Sequence, residues 1–173
     1  MKHPQKLAVE LDEQSLTYCE LLHYVQVLSF TLLNEYHVFP GEVVCQCVER
    51  SLSMVIGIMA IEMSGGIYCP LSPHDPQHRL HALVEQTKSR LVLVHHQTKL
   101  KFIDNKILFH IDSVFTDNRQ EERIDLDRLS DILVTPDSTA YIIFTSGSTG
   151  IPKAVSSNST EECHSVYALY GFY

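Results

Sequence analysis

The 173-residue sequence has no apolar run long enough to cross a bilayer. Its longest, residues 54–61, lies between Arg50 and Glu62, whereas a span needs about 20 residues. It has no excess of positive charge: the formal net charge is −8, and no basic stripe interleaved with aromatics offsets it, so a nucleic-acid partner is not expected. It has no cysteine framework either. Cys19, Cys45, Cys47, Cys69 and Cys163 are odd in number and scattered, which suits reduced thiols. Residues 1–10 mix Lys, His, Pro, Gln and Glu without the apolar stretch of a secretory leader, so a cytoplasmic protein without membrane association is expected. There is no internal repeat.

What is present is a globular composition, with 45% hydrophobic residues in a length that suits one domain. Leu7 to Leu11 reads as a strand. Thr17 followed by Glu20 is a capping box that opens a helix to about residue 36, with Leu21, Leu22, Val25, Leu28, Leu32 and Leu33 recurring at helical spacing. A strand over residues 42–48 follows Pro40-Gly41. Ser51 or Ser53 can cap a second helix over residues 52–63, which Gly65-Gly66 ends. An extended piece at 67–71, a Pro-rich turn, a third helix at 77–86 and a strand at 91–94 come next. Strand and helix alternate in the order of an α/β fold, a parallel sheet with crossover helices.

From residue 95 to 137 the pattern loosens, with one candidate strand at 107–111 and a charge-dense stretch at 117–128 that reads as solvated loop or short helix. Residues 140–144, Ala-Tyr-Ile-Ile-Phe, then read as a buried central strand. Cys45 and Cys47 share one face of the 42–48 strand and read as buried small side chains. His74, His78 and His81 lie near one helix face with no second ligand cluster, so they read as solvated and no metal site is expected.

Directly after the last strand comes Thr145-Ser146-Gly147-Ser148-Thr149-Gly150-Ile151-Pro152-Lys153. Gly147 and Gly150 let the backbone turn its amides onto an anion. The hydroxyls of Thr145, Ser146, Ser148 and Thr149 add donors without bulk, and Lys153 adds a mobile point charge. Such a set suits a polyphosphate. The segment departs from the Walker loop, where Lys-Ser or Lys-Thr directly follows the second glycine and opens a helix.

Residues 141–155 closely resemble the signature loop of the adenylate-forming superfamily, the AMP-dependent synthetases and ligases. Upstream, Leu16-Thr17-Tyr18-Cys19-Glu20-Leu21 and Gly65-Gly66-Ile67-Tyr68-Cys69-Pro70-Leu71-Ser72-Pro73 resemble, in order, earlier core motifs of nonribosomal peptide synthetase adenylation domains. The resemblance implies the amino-terminal portion of that family's large α/β domain. It implies ATP and Mg²⁺ as cofactors, a carboxylate substrate, and possible delivery to a carrier-protein domain. The reaction it implies is attack of the carboxylate on the α-phosphate with release of pyrophosphate. Thr145, Ser146, Gly147, Ser148, Thr149, Gly150 and Lys153 would then hold the β- and γ-phosphates. The two earlier motifs look structural, and no catalytic residue is assigned.

The resemblance covers about residues 7–155. The family continues with a ribose-binding aspartate, a substrate pocket and a small domain carrying a lysine needed for adenylation. A partial AMP-binding domain over 1–155 followed by an atypical tail over 156–173 is therefore expected, inactive alone, as from a truncated or disrupted gene. Ala154 stands where the family usually has glycine and Ser72 where it usually has aspartate. Two further readings stay open: an acyl-CoA ligase or aminoadipate-reductase-type fragment, and a non-catalytic binding module.

Overall fold

The computed structural model describes residues 3–102, 106–116, 129, 132, 134–135, 137–145 and 153–158. The charge-dense stretch at 117–128, residues 146–152 and the tail with Cys163 lie outside them.

The chain opens with an antiparallel hairpin of β1 (Leu7–Leu11) and β2 (Gln14–Thr17), turning at Asp12 with φ 53°. β2 was not expected, since one buried leucine, Leu16, among polar neighbours gives little strand signal. Its pairing with β1 supplies the missing hydrogen bonds. α1 (Tyr18–Asn34) begins at the expected capping box: the Glu20 amide donates to Thr17 Oγ1 at 3.3 Å, and the Thr17 amide donates to Glu20 Oε2 at 2.8 Å. It ends two residues before Tyr36, whose ring instead packs edge-on against Phe109 at 5.4 Å between centroids. Leu21, Val25, Leu28 and Leu32 form its buried stripe, while Leu22 and Leu33 are only half-buried.

After α1 the chain alternates as β3 (Val43–Cys47), α2 (Leu52–Met63), β4 (Ile67–Pro70), α3 (Gln77–Thr87), β5 (Leu91–Val94), the single turn α4 (His96–Lys99), β6 (Ile107–His110) and the short α5 (Ser113–Thr116). β7 (Thr139–Thr145) and β8 (Lys153–Asn158) complete a six-stranded sheet in the order β6-β5-β3-β4-β7-β8. Every neighbouring pair is parallel except β7 with β8. A largely parallel α/β sheet is thus present as expected.

Alternation along β5 decides which side each residue faces. Leu91 and Leu93 join the core beneath α1 and α2, and Val92 and Val94 join Cys45, Cys47 and Cys69 beneath Leu80, Leu83 and Val84 of α3. Covered on both faces, the strand reads as an unbroken apolar run. α2 sits so close to β3 that a Cβ on Gly57 would lie 2.1 Å from Gln46 Oε1 and 2.6 Å from Ile111 Cδ1. Its amino end is capped by Ser51, whose Oγ accepts from the Met54 amide at 3.1 Å, and its carboxyl end passes into the left-handed Gly65 (φ 77°). Ser29 Oγ ties the two helices together, donating to Val25 O in α1 and lying 3.2 Å from Ala60 O in α2.

At the amino ends of the strands Arg90 holds three segments. Its Nη2 donates to Tyr36 O, His37 O and Glu42 Oε2 at 2.7, 2.9 and 3.0 Å, and its Nε lies 2.6 Å from Glu42 Oε1.

β7 corrects one expectation. It is an interior strand of the sheet, yet Ile143 is 43% exposed: the strand lies one place from the edge, and among its described side chains Phe144 is the one that packs on the α3-side core. Of the three histidines expected in solvent, His74 and His78 are exposed, but His81 is half-buried. It stacks on Phe102, and its Nε2 lies 2.9 Å from Lys101 O.

Candidate functional site

A parallel strand delivers its carboxyl end, and the turn after it, to one edge of the sheet, where α/β proteins bind ligands. β3, β4, β5, β6 and β7 all run in the same sense, so the turn after β7 shares that edge with the segments following the other four. β7 is set by β4 through Tyr68 opposite Tyr141. On its other side β8 returns antiparallel, with Phe144 opposite Ala154 and Thr145 opposite Lys153.

Ala154 and Val155 are therefore part of a paired strand. Thr145 and Lys153 are brought together at the base of the turn, their Cα atoms a ladder spacing of about 5 Å apart. Ser146, Gly147, Ser148, Thr149 and Gly150, the other proposed phosphate donors, lie outside the described residues.

The chemistry of the segment fits an anion. Residues 145–153 contain hydroxyls, backbone amides and one ammonium but no carboxylate. A divalent cation would reach this loop only with the phosphates whose charge it shares. Among the described residues no group of three His, Cys, Asp or Glu side chains could hold a metal. Burial pushes the Tyr68 phenol up to about 12, with Cys69 and Glu62 adding to it, so beside β7 it stays neutral.

The earlier motifs build the frame. Thr17 and Glu20 cap α1. In the 65–73 segment the Ile67 amide donates to Glu42 O at 2.8 Å and the Leu71 amide to Gln46 O at 2.9 Å, which holds β4 against β3. Ser72 Oγ accepts from the His74 amide at 3.3 Å, a turn-capping bond that an aspartate could also make. Lys101 Nζ donates to Pro73 O and, at 3.2 Å, to Asp75 O, fastening the Pro-rich turn.

Sequence reasoning missed one group at this edge. Glu49, Ser53, His95 and Asp112 meet there, and they come from segments so far apart in the chain that no spacing could announce them.

A family described as AMP-binding enzyme matches residues 1–171. Zwittermicin A synthase ZmaJ of Bacillus cereus is 36% identical over 157 residues, which are 90% of this chain and 28% of that protein. Bacitracin synthase 2 of Bacillus licheniformis is 34% identical over 168 residues, 97% of this chain and 6% of the synthase. Among solved structures, the N-terminal subdomain of Klebsiella oxytoca NpsA in complex with 3-hydroxybenzoyl-AMSN superposes with a TM-score of 0.75 at 21% identity. That match covers 91% of this chain and 38% of the subdomain chain, and it bears on the fold. The chain thus spans well under half of the proteins it matches.

Proposed function

This chain belongs to the AMP-binding enzyme family, and from that premise we propose that it is the phosphate-binding part of an adenylation domain that activates an amino acid for nonribosomal peptide synthesis. The observation that carries this reading is the β7–β8 ladder, which anchors both ends of the Ser/Thr/Gly loop at the carboxyl edge of a parallel sheet. A relative of Gibberella zeae, 32% identical over 154 residues, is named a nonribosomal peptide synthetase, which supports an amino acid as the carboxylate.

In this role Thr145, Ser146, Gly147, Ser148, Thr149 and Gly150 donate hydroxyl and amide hydrogen bonds to the β- and γ-phosphates, and Lys153 offsets their charge. ATP supplies, when bound, the electrophilic α-phosphorus and the pyrophosphate leaving group, with Mg²⁺ sharing the phosphate charge. The loop's contribution is to orient the leaving group and to stabilise the negative charge that builds on it. Lys153 enters from a strand, so its backbone is held before any ligand arrives. Acceptance of the aminoacyl group by a carrier-protein domain would follow.

The 157 matched residues make up 28% of ZmaJ, so the ribose contacts, the carboxylate pocket and the family's catalytic lysine are supplied by other parts of such enzymes. A polypeptide of these residues alone should show no amino-acid-dependent exchange of labelled pyrophosphate into ATP. Residues 7–155 grafted in place of the matching segment of a peptide-synthase relative should restore exchange with that relative's amino acid. A graft that melts cooperatively yet gives no exchange, while a graft from a second synthase does, would overturn the reading. Exchange with a fatty acid by a longer natural form of this chain would point to an acyl-CoA ligase instead.

A further inference from the structure

The polar group at the carboxyl edge is built around one imidazole. His95 follows β5 and is held by its backbone: its amide donates to Thr98 Oγ1 at 2.9 Å, and that hydroxyl, buried, donates to Cys47 O at 2.7 Å. The ring, 13% exposed, points a nitrogen at each of two carboxylates. Nδ1 lies 2.8 Å from Glu49 Oε2, in the segment after β3, and Nε2 lies 3.3 Å from Asp112 Oδ1, in the segment after β6. Two serines of the α2 amino end complete the shell, with Ser53 Oγ 3.2 Å and Ser51 Oγ 3.4 Å from Nε2.

We propose that His95 is a protonation-operated latch joining the segments after β3, β5 and β6. With both nitrogens protonated the ring donates to Glu49 and to Asp112 together, closing the edge across three strands. With one proton it keeps Glu49 and releases Asp112.

A hydrogen-bond inventory carries this. Neutral imidazole has one N–H and one lone pair, so it can donate to a single carboxylate, and its lone pair would face the other. Ser53 is the group that can turn to suit either state. Its hydroxyl donates to Asp112 Oδ1 at 3.0 Å in the arrangement seen, and a rotation of that hydroxyl would direct it to Nε2 instead. Ser51 is less free, because its Oγ donates to Glu49 O and accepts from the Met54 amide.

Among the described residues, other titratable groups near the latch include His74, whose charge acts on Glu49 from the turn after β4, and the His96 and His110 rings, 5.7 Å apart beside the end of β6. Burial raises the Glu49 carboxyl, but the hydrogen bond from His95 and nearby backbone more than offset this, so it lies below the ordinary carboxylate value.

The test uses the full chain labelled with ¹⁵N-histidine. The ring nitrogens of His95, assigned by the His95→Gln variant, report its protonation directly, while amide exchange of Val114 and Phe115 reports how firmly the corner after β6 is held. After correction for intrinsic exchange, protection of those amides should rise about threefold to tenfold as the ring gains its second proton, the range of one partly exposed charged hydrogen bond. In Asp112→Ala, which removes the acceptor, the protection should no longer follow ring protonation. Protection that ignores ring protonation in the wild type would overturn the latch. So would a dependence left intact in Asp112→Ala, which would assign the effect to His96 or His110.

Discussion

Thr145 and Lys153 are paired directly across the β7–β8 ladder, so residues 146–152 leave and re-enter the sheet at one place. A loop closed in this way keeps its lysine at the mouth without relying on contacts made inside the loop.

Lys153→Ala should weaken ATP binding about tenfold to a hundredfold in a polypeptide that contains a whole adenylation domain, the loss of one hydrogen bond to a charged group. Lys153→Arg should retain part of the affinity, since the charge remains while the shape changes. Isothermal titration calorimetry reads both, and an unchanged affinity in the alanine variant would remove Lys153 from the site.

Arg90→Ala should lower stability by roughly 2–3 kcal/mol, because it strips two backbone carbonyls of a donor and leaves the Glu42 carboxylate, 7% exposed, without its counter-charge. The double variant Glu42→Gln with Arg90→Met should lose less than Arg90→Ala. Urea midpoints compare them. A single variant within about 0.5 kcal/mol of wild type would mean that the bridge contributes nothing net.

Backbone and side-chain hydrogen bonds from Thr17 hold the Glu20 carboxyl below its ordinary value, and the Lys106 ammonium does the same to Glu85. A lowered carboxyl contributes stability that is present above its unfolded value, near about 4.3, and is lost as pH falls through the lower folded value. The melting temperature should therefore drop on acidification below that point. It should drop less steeply in Glu20→Gln, which has no charge to lose, and parallel slopes would argue that the capping carboxylate makes no pH-linked contribution.

Of the four described cysteines only Cys19 is exposed; Cys45, Cys47 and Cys69 are buried, and burial pushes the Cys47 thiol up to about 12. Native treatment with iodoacetamide, mapped by mass spectrometry, should label Cys19 rapidly and the three strand cysteines only under denaturant. Rapid labelling of Cys47 in the native state would show that the sheet opens locally far more often than its packing suggests.

Much of the frame was legible because its signals are local. The Thr17–Glu20 box, the α2 cap at one of the two serines read for it, the Gly65 stop and the apolar run at β5 each depend on a few neighbouring residues, and each appears where its chemistry puts it. β2 was not legible, since four residues with one buried leucine carry no period of their own. The exposure of Ile143 was hidden for a related reason: an apolar pentad looks alike at the centre of a sheet and one strand from its edge.

Within the candidate site, the amino-acid sequence alone determined which hydroxyls, glycines and charge stand between Thr145 and Lys153 and the strand that leads into them, because these are properties of adjacent residues. Only the tertiary structure decided that Lys153 begins a return strand opposite Thr145, since that depends on register between segments. It alone brought Glu49, Ser53, His95 and Asp112 to one imidazole. Three parallel strands had to align their carboxyl ends first, and the distances that make those residues neighbours are set across the sheet, where no spacing along the chain records them.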